Sequence, residues 1–387
     1  MELVGNWNYP TLYRFGAGRI GSLASYAAEL GITRPLLVTD PGIAALDFLQ
    51  DIERALNQYG LHVQVFSNIK ANPTGANVDA GVQAYISGRH DGVIAIGGGS
   101  ALDAGKAIAL LCGQHRSLWD FTDVGDNWKR VNTEAVPPII AVPTTAGTGS
   151  EVGRASVITD DIAHVKRIIF HPRMMPDLVL ADPELTLGLP AGLTAATGMD
   201  ALSHCLEAYC APSYHPMAVG IAVEGIRLIK AWLPAAVADG SNIEARSHML
   251  AASSMGATAF QRGLGAMHAL AHPLGALYDA HHGTLNAVLM PYVLEANRPA
   301  IEGIITQLTQ SLGFKTVGYP AFLDWVLDLR AGLNIPHTLA ELGIDDAKAD
   351  IVADMAVHDP TASSNPIPHN AAAYREIFIR SINGTLT

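Results

Sequence analysis

The spacing of apolar residues changes once along this 387-residue chain, and that change limits the fold more than any single motif does. In the first half, short apolar runs alternate with helical patterns. Residues 35–40, 61–66, 92–96 and 138–142 read as buried strands, and 42–59, 78–87 and 101–111 as the helices between them. Further short strands are expected at 157–159, 167–170 and 178–180. Strand and helix in alternation bury most apolar surface as a parallel sheet covered by helices on both faces. From residue 193 strand signals vanish. Ala/Leu-rich helical patterns follow at 193–210, 216–234, 242–260, 264–278, 283–297, 300–312, 319–333 and 370–383. The expected fold class is an α/β N-terminal domain over 1–186 and an all-α C-terminal domain over 187–387, a length that allows two cores.

The helical half carries ligand-type side chains at helical spacing. Residues four apart on a helix share a face. Asp200 and His204 therefore point one way, as do His268 and His272, with His281 and His282 close behind in sequence. A lone histidine on an apolar helix is most often a satisfied core residue. The combination weighs against that: Glu207 apart, these groups stand among small and apolar neighbours, where a carboxylate or imidazole is costly unless paired or metal-bound. A carboxylate converging with several imidazoles is what a divalent transition metal needs. Cys205 points off the His204 face and is not counted as a ligand.

Bulk properties exclude several classes. The net charge of −12, with no Lys/Arg run, argues against nucleic acid or an anionic membrane surface as partner. Cys112, Cys205 and Cys210 lack CxxC spacing and read as free thiols of a reducing compartment. Residues 1–6 lack the basic and apolar regions of a leader, and no apolar run reaches the roughly 18 residues of a membrane helix. A cytoplasmic protein is expected.

Two glycine-rich loops end strands of the first half. Gly97-Gly98-Gly99-Ser100 follows one strand and opens a helix with Asp103 and Lys106. Backbone N–H groups at a helix start hold anions, and glycines let a pyrophosphate approach. The run departs from the dinucleotide fingerprint, because Leu102 stands at the third glycine, and it is not a P-loop. The second loop, Thr144-Thr145-Ala146-Gly147-Thr148-Gly149-Ser150, adds hydroxyls at another strand end. Two such loops at one edge of a parallel sheet make a nucleotide-binding crevice. Asp40, ending the first strand, reads either as an acceptor for ribose hydroxyls that favours NAD over NADP, or as a cap before Pro41-Gly42.

With these motifs in order, the chain resembles the iron-containing (group III) alcohol dehydrogenases over almost its whole length. The resemblance rests on Gly97–Ser100 with Asp103 and Lys106, on 143–151, on Ala196-Thr197-Gly198-Met199-Asp200-Ala201-Leu202-Ser203-His204, and on 268–274 with His282-Gly283. It implies the two-domain fold shared with dehydroquinate synthase, with a parallel nucleotide-binding sheet. It implies reversible hydride transfer between a small primary alcohol, a diol or a hydroxy acid and NAD. It implies Fe(II), or in some members Zn(II), held by Asp200, His204, His268 and His282, with His272 beside the nicotinamide and substrate rather than on the metal. Implied cofactor contacts are Asp40, Asn72, Gly98, Gly99, Ser100, Asp103, Thr144, Thr145, Thr148, Lys166 and Leu185. A homodimer or larger homo-oligomer is implied, and an alcohol or aldehyde is the expected small-molecule partner.

The alternatives weighed are a 4-hydroxybutyrate-type dehydrogenase and a dehydroquinate-synthase-like lyase. Arg154, Arg262 and Lys166 are candidates for holding a substrate carboxylate. Gly153 and Ala155 are smaller than the residues relatives often carry there, which leads us to expect a roomier pocket.

Overall fold

The computed structural model describes residues 11–163 and 165–386; residues 1–6, read above for the absence of a leader, lie outside that range. The described residues divide into two compact units, one comprising 11–145 and Gly149–Leu187, the other Ala146–Thr148 and 188–386.

The first unit holds a six-stranded sheet of β1 (Leu12–Phe15), β2 (Pro35–Val38), β3 (Gln64–Phe66), β4 (Gly92–Gly97), β5 (Ile139–Pro143) and β8 (Leu178–Ala181). Its order is β1-β8-β5-β4-β2-β3, and every pairing is parallel. The central strands are apolar at every position because both faces are covered. Leu36, Val38, Val93 and Ile139 join one core, and Leu37, Ile94, Ile140 and Val142 the other. The helices are α1 (Leu23–Glu29), α2 (Pro41–Ala44), α3 (Asp47–Gln58), α4 (Gly75–Gly88) and α5 (Gly99–Leu111).

Three details differ from the sequence reading of this unit. The helix expected at 42–59 is two, because Leu46 is extended and caps a fresh start at Asp47. β1 and α1, of four and seven residues, are too short to stand out in the sequence. β6 (Ala155–Asp160) and β7 (Val165–Phe170) form a separate antiparallel hairpin rather than joining the parallel sheet. Asp160 sets its turn by accepting from Ile162 N and Ala163 N and pairing with Arg167 Nε at 2.8 Å.

The second unit is helical: α6 (Ala191–Cys210), α7 (Pro216–Ala238), α8 (Ile243–Ala259), α9 (Ala266–Tyr278), α10 (His282–Ser311), α11 (Tyr319–Gly332), α12 (Ala349–Val357) and α13 (Ala371–Asn383). The helix α6 is buried on every side from Thr194 to Cys210, packed by α7, α8 and α10. The two helices expected at 283–297 and 300–312 are the single helix α10, which runs through Pro291 and Pro299. Each proline removes one backbone donor, and packing against α6, α9, α11 and α13 outweighs that loss. Among the described residues no helix is long and apolar enough to cross a membrane.

Candidate metal and cofactor sites

Asp200 and His204 lie one turn apart on buried α6, and the ligand-type atoms of Asp200, His204 and His268 all fall within 4.8 Å of one another. His204 Nε2 is 4.0 Å from Asp200 Oδ1, and the His204 and His268 rings stack with centroids 4.9 Å apart. His282 opens α10 and brings Nε2 to 3.7 Å from Asp200 Oδ1. Gly283 makes that approach feasible: a Cβ there would sit 2.4 Å from Ala196 O and 3.2 Å from Asp200 Cβ. His281, its neighbour, is the N-cap of α10, and its Nδ1 faces Thr284 N at 3.4 Å.

Carboxylates from other elements orient the two histidines of α9. Glu207 Oε2 accepts the Nδ1 hydrogen of His268 at 2.6 Å, and the same carboxylate accepts from Gly265 N and Met267 N at 2.9 and 2.7 Å. Glu207 thus satisfies the open N-terminus of α9 while fixing its first histidine. A neutral imidazole with its proton on Nδ1 keeps a lone pair on Nε2. His272, one turn on, has its Nδ1 2.8 Å from Asp359 Oδ2, and its ring stacks on that of His282 with centroids 5.6 Å apart.

Asn286 Nδ2 lies 2.8 Å from Asp200 Oδ1 and 3.2 Å from both His268 Nε2 and His282 Nε2. One amide nitrogen carries two hydrogens and cannot serve all three. Asn286 Oδ1 and His204 Nδ1 are buried with no partner. The pocket is therefore rich in lone pairs and short of positive charge, and a divalent cation fits it. Burial pushes His204 down to about 4, against an upward pull from Asp200, so its imidazole is neutral as a ligand must be. Burial also opposes charge on His268, but the carboxylate and hydrogen bond of Glu207 outweigh it and raise the group above its ordinary value. Cys205 and Cys210 are pushed up to about 12 by burial and are inert thiols.

Glu207, Asn286 and Asp359 were not singled out in the sequence as functional. Helical spacing could have found the first two, since Glu207 is three residues beyond His204 and Asn286 four beyond His282. Nothing in the sequence ties Asp359 to His272.

In the α/β unit, Gly98 caps α5, and Gly99 and Ser100 form its first turn with backbone N–H groups unspent on the helix. Gly97 has φ +150°, and a Cβ there would lie 2.7 Å from that of Ala101, so only glycine makes this turn. Thr144 N bonds Gly97 O at 3.0 Å, and the Thr145 methyl would come 3.2 Å from a Cβ on Gly98, so the two loops adjoin. Asp40 Oδ1 caps α2 through Ile43 N at 3.0 Å, as one of the two expected roles requires, and Oδ2 lies 3.4 Å from where a Gly97 Cβ would be.

Asp103 uses its oxygens on Ser150 Oγ and Val157 N and pairs with buried Lys106 at 3.2 Å, tying α5 to the hairpin. Lys166 Nζ donates to Asn72 Oδ1 at 2.9 Å. Leu185 sits in the 3-10 turn Pro183–Thr186 against the sheet core. Thr148 groups with the helical unit, as do Ala146 and Gly147 of the same loop. Of the cationic candidates, Arg262 donates to Ala208 O, Tyr209 O and Ser213 O and is spent capping α6. Arg154 lies over the Phe170 ring at 5.4 Å.

Comparison with known proteins bears on what these sites do. Residues 10–183 match the family model for iron-containing alcohol dehydrogenase, and 194–382 the C-terminal model of the Fe-containing alcohol dehydrogenase family. The chain is 39% identical to 4-hydroxybutyrate dehydrogenase of Cupriavidus necator, covering 97% of this chain and 99% of that one. It is 37% identical to 1,3-propanediol dehydrogenase of Citrobacter freundii over 97% of both. Among solved structures, a 1,3-propanediol oxidoreductase superposes with TM-score 0.92 at 35% identity, covering 98% of this chain and all of that one. Sulfoacetaldehyde reductase of Bifidobacterium kashiwanohense, in complex with NAD+, superposes with TM-score 0.89 at 29% identity, covering 98% and 99%.

Proposed function

The chain belongs to the family of iron-containing alcohol dehydrogenases, and from that premise we propose how its residues divide the work of an NAD-linked oxidation of alcohols. The observation that carries the assignment is the buried, donor-poor convergence of Asp200, His204 and His268, with His282 at its edge. These four residues hold the metal, with Glu207 and Asn286 orienting them. When bound, the metal supplies Lewis acidity toward the alcohol oxygen and the nicotinamide supplies the hydride acceptor. His272 takes no part in holding the metal. Its Nδ1 is committed to Asp359, so Nε2 is the atom that receives the hydroxyl proton and returns it to water.

The glycine loop at the start of α5 holds the pyrophosphate on backbone donors from Gly98, Gly99 and Ser100. Asp40 stands by the ribose and selects NAD. Asn72, Thr144, Thr145, Thr148, Lys166 and Leu185 make the remaining contacts, and Asp103 keeps the loop at Ser150 in place. The chain works in the cytoplasm as a homodimer or larger homo-oligomer, which sizing by light scattering checks.

The substrate class follows from two supports. Two of the named relatives act on 4-hydroxybutyrate and 1,3-propanediol, compounds of four and three carbons with a second polar end. At Gly153 a Cβ would stand at ordinary contact distance from Ser150 O, 3.6 Å, and Lys106 Nζ, 3.7 Å, so crowding does not require glycine there and the absent side chain leaves room. We therefore assign primary alcohols of three or four carbons with a distal hydroxyl or carboxylate. Each methylene buried contributes roughly 0.8 kcal/mol, so kcat/KM should climb severalfold per carbon from the two- to the four-carbon substrate. A panel of alcohols and aldehydes on iron-reconstituted enzyme tests this. An optimum at ethanol, unmoved by Ala155→Phe, defeats it.

A further inference from the structure

His268 and His272 occupy equivalent places on successive turns of α9, and each is held through Nδ1 by a carboxylate from elsewhere in the helical unit. Glu207 does this for the first at 2.6 Å and Asp359 for the second at 2.8 Å. We propose that Asp359 is the positioning residue of the proton relay: it holds His272 as the Nδ1–H tautomer, so that Nε2 presents the lone pair that takes the substrate proton. This rests on the reading of His272 as the relay.

The surroundings of Asp359 suit that task. Its Oδ1 is occupied by Thr361 N at 2.9 Å and Thr361 Oγ1 at 2.6 Å, which leaves Oδ2 to the imidazole. Thr361 Oγ1 also lies 3.3 Å from Gly265 O, and Asn365 Oδ1 accepts from Ala266 N at 3.0 Å. The segment carrying Asp359 is thereby clamped to the start of the helix that carries His272. Side-chain exposures of 13% for His272 and 11% for Asp359 leave neither group free to swing into solvent. Burial alone would raise the Asp359 carboxyl, but His272 and Thr361 outweigh it and hold the group below the usual carboxylate range.

Stacking on His282, with ring planes 13° apart, fixes the remaining rotation of the imidazole. In the transfer the substrate O–H bond breaks and an Nε2–H bond forms with the imidazole lone pair. Asp359 takes no proton, and its charge stabilises the imidazolium until water receives the proton.

The test uses full-length enzyme reconstituted with zinc for nitrogen-15 NMR of the histidines and with iron for kinetics. The His272 resonance is assigned by its loss in His272→Ala. We expect wild type to carry the His272 proton on Nδ1 and Asp359→Asn to lose that state. Bound metal, NAD affinity and KM should stay within about threefold while kcat falls. The same exchange in Ser-His-Asp enzymes lowers kcat about 10⁴-fold, and here a loss of about 10²–10³-fold is expected. Asp359→Glu should recover at least tenfold over Asp359→Asn. The proposal is overturned by an Nε2–H tautomer in wild type, by loss of metal in Asp359→Asn, or by full turnover of Asp359→Asn beside an inactive His272→Ala. Full turnover of His272→Ala would instead overturn the relay reading itself.

Discussion

At the start of α5 the groups available to a ligand are backbone donors, and glycine at position 97 is required because no other residue turns the chain there. On α6 and α9 the corresponding groups are side chains, two of them carboxylates, buried among apolar neighbours. The α/β unit can place its donors with few special side chains because a parallel strand ending at a helix start points N–H groups outward by geometry alone. In the helical unit the metal residues stand along helices whose backbone donors are consumed internally, and the open first turn of α9 spends its donors on Glu207 and Asn365. It must bury charge, and buried charge demands a partner for every atom. One site is thus sensitive to backbone conformation, the other to side-chain identity.

The sharpest way to break this contrast is at the ligands. His204→Ala, His268→Ala and His282→Ala should each reduce bound metal below a tenth of wild type and abolish measurable turnover, with NAD binding intact. His272→Ala should keep the metal and lose about 10²–10⁴-fold in kcat. Metal analysis of purified variants, beside NAD titration, decides it. Loss of metal in His281→Ala with full occupancy in His282→Ala would show that the other neighbour is the ligand.

Next in size is Gly97→Ala, which forces a side chain into the left-handed turn. A strained backbone of this kind costs about 1–3 kcal/mol. NAD affinity should therefore fall about tenfold or more while metal content is unchanged, as calorimetry and metal analysis would report. Unchanged NAD affinity in this variant would mean the loop does not cradle the cofactor.

Glu207→Gln keeps size and removes charge. Because outer partners of a ligating histidine are typically worth 10–100-fold in metal affinity, that is the expected loss, measured by competition with a chelator. The glutamine amide offers one oxygen where the carboxylate offered two, so hydrogen exchange at the first turn of α9 should also quicken. The β-sheet amides should not respond.

The smallest effect is at Asp40. Removing its charge should raise activity with NADP relative to NAD by about tenfold, the equivalent of 1.4 kcal/mol of relieved repulsion. Its Oδ1 also caps α2, so Asp40→Ala should lower stability by about 1 kcal/mol. A preference for NADP in wild type would leave the cap as its only role.

Much of this was legible in the amino-acid order. The parallel sheet followed from strand-helix alternation, and the pairing of Asp200 with His204 followed from a four-residue interval. The antiparallel hairpin β6–β7 was not legible, because alternation says that a strand exists and not which sheet receives it. The continuity of α10 was hidden by Pro299, whose local penalty is visible in sequence while the tertiary packing that offsets it is not.

The two histidines of α9 mark the boundary between these kinds of information. The interval from His268 to His272 states that both face one way, and it cannot distinguish a ligand from a proton carrier. The roles proposed for them rest on their neighbours, Glu207 and Asn286 against one and Asp359 against the other, from positions up to 87 residues distant. Helical periodicity determines orientation within an element because the backbone repeats every 3.6 residues. The distance between elements is decided only when their apolar faces pack, and the chemistry of His272 depends on that distance.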